Sequence, residues 1–380
     1  MEGTVCFPGR VYAAIDMGAV RHNMDVMKAL IGPDKHIIAV VKADAYGHGA
    51  VPIAKMLEED PDIWGFAVAA VPEAVELREA GIVKPIMILG YVFPQDDEAL
   101  IHFEIRPEVS TLQMAERLNK VAERRGKEIR IHIAVDTGMS RIGFFPDAQS
   151  VEAIRQISRL PRVRIEGMFT HFARADEVDK ACVHTAFARF QTFSRAVRAA
   201  GVDIPLCHCA NSATILEYPD AHLNLVRAGI TMYGIYPSDE MIRDKDLQPV
   251  MQLKSRIAHL KWVAPGVPVS YGGTFVTERE TQIATIPVGY ADGYPRSLSS
   301  KGCVLLKGRR APILGRVCMD QFMVDVTGME AQIGDEVTLM GEDHGAVLGV
   351  DELGTLSGRF PYEFVCDISK RVPRVFINRV

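Results

Sequence analysis

From Tyr12 to about Tyr236, short apolar runs alternate with longer amphipathic ones, and this alternation constrains the fold more than any other feature of the chain. The expected strands are 37–41, 64–67, 85–89, 103–105, 129–135, 164–170, 206–209 and 223–227. Helical stretches, among them 71–80, 112–125, 150–159 and 185–200, lie between most of them. Strands alternating with helices imply βαβ units and a parallel sheet. Roughly eight such units in this length point to a closed (β/α)8 TIM-like barrel rather than an open doubly wound sheet. The fourth strand is the least regular, because Pro107 interrupts it.

Past Tyr236-Pro237-Ser238 the texture changes. The apolar segments 283–288, 304–306, 313–317, 322–326 and 337–339 are short, β-branched and punctuated by Gly and Pro, with no long helix until about 350–358. This reads as a mostly-β second domain. The expected division is 12–240 for the barrel and 241–380 for the β domain, with residues 1–11 packing with the latter. A net charge of -5 offers no basic footprint for nucleic acid. No segment has the unbroken apolar length of a membrane span, and Met1 to Arg10 lacks the basic head and apolar run of a secretory signal. Seven scattered cysteines fit the reduced thiols of a cytoplasmic protein better than a disulfide framework.

On a barrel, chemistry gathers at the C-terminal ends of the strands. Lys42 ends the first expected strand, Arg141 follows the fifth, His171 ends the sixth, Ser212 follows the seventh, and Arg227 and Gly229 end the eighth. Singly, each has a plain alternative: Lys42 as a solvent-facing strand cap, Arg141 as a surface charge, His171 as a satisfied core histidine, Ser212 as a helix N-cap. Together on one rim they make a site. A partly desolvated lysine loses its proton more easily and can form a Schiff base with a carbonyl cofactor. Ser212 and the backbone at Gly229 could cradle a phosphate monoester. A lysine and a phosphate cradle on one rim point to a phosphorylated aldehyde, and pyridoxal 5′-phosphate is that molecule. Cys207-His208-Cys209 resembles metal bait, but on a strand His208 points away from both thiols, so no metal is expected.

The motifs Val41-Lys42-Ala43-Asp44-Ala45-Tyr46-Gly47-His48-Gly49, Asp136-Thr137-Gly138-Met139-Ser140-Arg141, Thr170-His171-Phe172, Asn211-Ser212, Val226-Arg227-Ala228-Gly229-Ile230, Val269-Ser270-Tyr271-Gly272, Gly289-Tyr290-Ala291-Asp292-Gly293 and Cys318-Met319-Asp320-Gln321 span nearly the whole chain. With them the chain resembles the alanine racemases of the pyridoxal-phosphate barrel type. The resemblance implies that Lys42 holds the cofactor and serves as one acid/base, and that Tyr271, from the β domain of a partner subunit in a homodimer, serves as the other. It implies phosphate contacts from Tyr46, Ser212, Gly229, Ile230 and Tyr362. Arg227 would face the pyridine nitrogen, with His171 linking Arg227 to Tyr271. Arg141 would contact the cofactor's phenolic oxygen and the substrate carboxylate, which the backbone of Met319 would also hold. Tyr290, Asp176, Arg296 and Arg316 match positions lining the family's entrance corridor.

Racemisation removes the Cα proton from one face and returns it to the other, so two bases on opposite faces are the economical solution. A guanidinium at the ring nitrogen only donates and leaves that nitrogen unprotonated, which weakens the electron sink and limits transamination. One departure stands out. Many family members carry a carbamylated lysine two residues before Asp-Thr-Gly, where it braces the arginine, and here that position is Ala134. The rival readings are a serine or broad-specificity racemase, a non-catalytic pyridoxal-phosphate carrier, which would not need Tyr271 in a β domain, and a decarboxylase, which would want an acidic partner at the ring nitrogen.

Overall fold

The computed structural model of the chain describes residues 9–378, which group into two compact units. One contains 21–45 and 49–247; the other contains 9–20, 46–48 and 248–378 of the described residues.

The first unit is a parallel barrel. Its strands His36–Val40, Ile63–Val68, Ile86–Ile88, Arg106–Val109, Ile129–Ala134, Val163–Phe169, Leu206–His208 and Leu225–Ala228 pair in sequence order, and the first also pairs with the last. Apolar residues dominate both faces of most strands, as required between an outer helix layer and a filled interior. The helices between them follow from a one-sided stripe. In Leu112–Arg124 the buried residues Met114, Ala115, Leu118, Val121 and Ala122 recur at helical spacing, and Thr111 caps the start by accepting from Met114 N at 3.2 Å.

Among the described residues no strand ladder joins Leu206–His208 to Leu225–Ala228. The seam is closed instead by Arg227 N donating to Ala210 O at 2.9 Å, Cys207 N donating to Asn224 Oδ1 at 3.1 Å, and the Arg227 side chain. The barrel is thus least continuous where the guanidinium sits.

The fourth strand differs from expectation: it is Arg106–Val109 and contains Pro107, not 103–105. Phe103 and Ile105 instead finish the helix Asp97–His102, their N–H groups donating to Ala99 O and Leu100 O. Proline withdraws one donor, and a strand this short loses little ladder to it.

In the second unit the sheet runs, in spatial order, His259–Val263, Thr281–Ile286, Phe322–Asp325, Arg309–Leu314, Cys303–Leu306, Glu336–Asp343, Met251–Arg256, Val11–Asp16 and Arg374–Ile377. Val11–Asp16 lies between Met251–Arg256, antiparallel, and Arg374–Ile377, parallel, so the barrel's own elements begin near Arg21 rather than at Tyr12. Of the expected packing of residues 1–11, positions 1–8 lie outside the described residues. The turn Gly289-Tyr290-Ala291-Asp292-Gly293 is organised by buried Asp292, which accepts from Gly289 N, Arg10 and Arg371. No helix among the described residues is long and apolar enough to cross a membrane.

Candidate active site

Lys42 follows directly on the first barrel strand, where Val41 N donates to Ala67 O at 2.9 Å. The chain then makes an unusual turn: Ala43, Asp44, Ala45 and Tyr46 all have φ between 52° and 54°, in the left-handed region. Left-handed backbone costs a residue with a Cβ roughly 1–2 kcal/mol, so a run of such residues persists only where surrounding contacts dictate it. Here Glu73 takes Ala43 N at 2.6 Å and Ala69 N at 2.7 Å, and Asp44 takes Ala50 N at 2.7 Å. Sequence reasoning saw a Gly/Ala-rich turn and missed Glu73, for which no local signal exists.

Arg227 is the centre of the polar interior, only 3% exposed. Nη2 donates to Thr170 O at 2.8 Å and Cys209 O at 3.2 Å, and Nη1 donates to His208 O at 2.9 Å. Nη1 also lies 2.9 Å from His208 Nδ1, and Nη2 lies 3.3 Å from His171 Nδ1. The guanidinium rests over the Phe169 ring, 5.5 Å from its centroid. Burial, with the nearby charge of Arg141, lowers its pKa to about 10, which leaves it charged at neutrality. Among the described residues Nε is assigned no protein acceptor.

His171 is neutral. Burial first, then the charges of Arg227, Arg141 and Lys42, lower its pKa to about 3. Since a guanidinium only donates, His171 Nδ1 is the acceptor and the ring proton is on Nε2. The electrostatic coupling of His171 to Arg227, Arg141 and Lys42 brings these four expected residues together on one rim.

A second cluster sits at the ends of the last two strands. Ser212 Oγ accepts from Gly229 N at 3.0 Å and from Thr231 Oγ1 at 3.1 Å. Ile230 opens the adjoining turn Ile230–Tyr233 and is buried. The cluster combines two hydroxyls and a backbone N–H, a donor set suited to phosphate oxygens, and Thr231 is a member that sequence reasoning did not single out. The unclaimed Nε of Arg227 and the Ser212–Gly229–Thr231 cluster together fit pyridoxal phosphate, one matching a ring nitrogen and the other a phosphate.

Arg141 is exposed, with no hydrogen bond assigned to it among the described residues. Ala134, where the family often has lysine, is buried in an apolar cluster with Met87, Phe169 and Leu89. His208 faces Arg227 and His132, while Cys207 Sγ contacts Arg198 Nη2 of the outer helix at 3.3 Å. The alternation expected of that strand is therefore present, with the histidine facing the interior.

Apart from Asp176, the remaining expected residues belong to the second unit. Tyr46 packs against Tyr362, with ring centroids 6.0 Å apart. Gly47, at φ +80°, has no room for a side chain, since a Cβ there would lie 2.3 Å from Val365 O. Tyr271 opens a single 3-10 turn, Tyr271–Gly273, and is 69% exposed. Met319 is also exposed; its carbonyl accepts from Ala291 N at 3.0 Å, which ties it to the Asp292 turn. Among the corridor positions, Gly272 lies close to the Arg316 guanidinium, and the Asp176 carbonyl accepts from Ser238 Oγ at 2.6 Å in the barrel unit.

Comparison with known proteins is unambiguous. Residues 15–237 match the family described as alanine racemase, N-terminal domain, and residues 250–376 match alanine racemase, C-terminal domain. An alanine racemase of Desulforamulus reducens is 46% identical over 370 residues, covering 97% of this chain and 99% of the relative. A solved alanine racemase of Clostridium difficile superposes with a TM-score of 0.94 at 41% identity, covering 98% of this chain and 97% of that one. A Bartonella henselae alanine racemase, solved with covalently bound pyridoxal phosphate, superposes with a TM-score of 0.85 at 29% identity, covering 97% and 100%. With both halves matched along nearly their full length, the chain belongs to the alanine racemase family.

Proposed function

We propose that the protein interconverts L- and D-alanine with pyridoxal 5′-phosphate, supplying D-alanine for peptidoglycan from the cytoplasm. The observation that carries this reading is Arg227. A buried donor-only group, with both Nη atoms committed to the barrel and Nε unclaimed, suits a ring nitrogen that must stay unprotonated. An amino-acid decarboxylase would want a carboxylate there.

Lys42 would hold the cofactor covalently through Nζ, and Ser212, Gly229, Ile230 and Thr231 would hold its phosphate, with Tyr46 and Tyr362 as further phosphate contacts. Bound there, the cofactor supplies electron withdrawal that acidifies the Cα–H of an attached amino acid. Everything else falls to the chain. Lys42 Nζ exchanges the Cα proton on one face, and Tyr271 Oη of a second copy exchanges it on the other. A phenol has a reference pKa of about 10 and needs help to serve as a base. The Nε2–H of neutral His171 is available to stabilise the phenolate, while Nδ1 stays engaged with Arg227. Arg141 and the backbone of Met319 orient the substrate carboxylate. The assembly we infer is a two-fold homodimer in which each copy completes its partner's site.

The test is incubation of the purified holoenzyme with single L-amino acids in D2O, following Cα deuteration and chirality together. Alanine should gain deuterium and lose chirality in step, with serine slower, since a hydroxyl-sized difference separates substrates by only about 1–3 kcal/mol. Cofactor binding without exchange at Cα would make the protein a carrier and overturn the reading.

A further inference from the structure

Among the described residues Arg227 has no carboxylate as a direct partner, although burying a charge without an ionised partner is expensive. The acceptors that surround it are carbonyl oxygens and imidazole nitrogens. Its hydrogen bonds continue inward along a single line. His208 Nε2 lies 2.9 Å from His132 Nδ1, and His132 Nε2 lies 3.2 Å from Glu166 Oε2. Glu166 also pairs with Arg106 at 3.2 Å and Arg130 at 3.6 Å. Both imidazoles are fully buried.

The direction of each bond in this line is dictated from its ends. Arg227 can only donate, so His208 Nδ1 must be bare and the proton must be on Nε2. His208 Nε2 then donates to His132 Nδ1, which leaves the second proton on His132 Nε2, facing a carboxylate that can only accept. A donor-only group at one end and an acceptor-only group at the other therefore admit one arrangement of protons. Burial opposes ionisation of Glu166, but the bond from His132 and the Arg106 guanidinium hold it below the ordinary carboxylate range. Burial, together with Arg227, keeps His208 neutral.

The surroundings lock the rings in this pose. Phe169 stacks on His208 at 5.0 Å with 3° between planes, and Trp64 meets His132 edge-on at 5.6 Å. Gly167 leaves room for the His132 ring, since a Cβ there would lie 2.5 Å from His132 Nδ1.

We propose that Glu166 is a positioning residue for the reaction: acting through His132 and His208, both held as neutral Nε2–H tautomers, it keeps His208 Nδ1 bare and so keeps Arg227 seated as the ring-nitrogen donor. Without a charged acceptor at the far end, the line could reverse. His208 would then carry its proton on Nδ1, donor would face donor, and Arg227 would be pushed from its place. The chemical part of this inference concerns the protein alone; only its consequence for catalysis rests on the function proposed above.

The test is 15N NMR of histidine-labelled protein, since protonated and bare ring nitrogens resonate far apart, with signals assigned by single His→Gln variants. In the wild-type protein, with or without pyridoxal phosphate, both His132 and His208 should carry their proton on Nε2 alone. In Glu166→Gln, whose amide can donate or accept, at least one of them should show Nδ1 protonation. Holoenzyme of that variant should lose kcat by about three- to thirty-fold, with a smaller change in KM for alanine, and its bound-cofactor absorbance should shift. A wild-type Nδ1–H tautomer or doubly protonated ring at either position overturns the proposal, as does a folded Glu166→Gln with unchanged ring shifts. Should that variant fail to fold, the wild-type tautomers decide. Correct tautomers in a protein that does not racemise alanine would leave this inference standing and remove the proposed function instead.

Discussion

The two units hold their candidate site residues in opposite ways. In the barrel, Arg227 is fastened to Thr170, His208, Cys209 and His171, and Ser212 is fastened to Gly229 and Thr231. In the β unit, Tyr271 and Met319 are exposed on short irregular turns, and Gly272 and Gly273 beside the tyrosine sit at φ +75° and +53°. In the proposed roles, Arg227 and the Ser212 cluster would meet the cofactor with their hydrogen bonds to the barrel already made, whereas Tyr271 and Met319 would meet the substrate from exposed turns. A base that is not held in place forfeits orientation, which is a large part of catalytic advantage. In the proposed two-fold assembly, the β-unit groups would gain their final geometry when a second copy covers them.

The largest expected effect tests the barrel half. Lys42→Ala should abolish racemisation in a chiral assay while leaving the circular dichroism of the fold intact. In the wild type, borohydride trapping and peptide mapping should place the pyridoxyl label on Lys42; a label on Lys35 or Lys55 would sink the assignment. Nearly as large is the β-unit counterpart, Tyr271→Phe, expected to cost about 10²–10⁴ in rate. Mixing the two dead variants distinguishes the halves. Random exchange makes about half the dimers mixed, each with one intact site, so about a quarter of wild-type activity should return. Exchange shown by tagged pull-down without recovered activity would mean that each chain uses its own tyrosine.

Arg227→Glu should slow racemisation and raise transamination, because a carboxylate would favour a protonated ring nitrogen. An unchanged side-product yield and cofactor spectrum would remove Arg227 from the ring nitrogen. A smaller effect concerns pH. Folded His171 stays neutral down to about 3, whereas in the unfolded chain it takes up a proton near ~6.5. Below the upper value the unfolded state binds the extra proton, so stability falls as pH falls, by at most about 1.4 kcal/mol per pH unit for this group. Urea titrations of His171→Gln between pH 6 and 4 should show a correspondingly shallower decline; an equal slope would mean the imidazole is already charged in the fold. The smallest expected effect is none. With Ala134 packed among Met87, Phe169 and Leu89, stripping and restoring bicarbonate should leave wild-type activity unchanged.

The barrel strands were legible because a buried parallel strand is an unbroken apolar run, and their order follows from right-handed βαβ connectivity. The fourth strand was misplaced because Pro107 reads locally as a breaker, while its cost depends on how much ladder surrounds it. Val11–Asp16 was credited to the barrel for a related reason: its apolar run says that it is buried, not which strands lie beside it. Of the candidate site, Lys42, Arg141, His171, Ser212 and Arg227 were visible as polar residues at strand ends. Glu73, Thr231, His132 and Glu166 were not, since each acts through a partner distant in sequence.

What the sequence determined by itself was the barrel class, the mostly-β second part and the identity of the rim residues, because periodicity and strand-end chemistry are local properties. Only the tertiary structure decided the left-handed turn after Lys42, the barrel seam closed by Arg227, and the proton order from Arg227 to Glu166. Those features depend on which donors and acceptors meet across the barrel. Hydrogen-bond direction is a property of the whole chain of partners, and no single segment contains it.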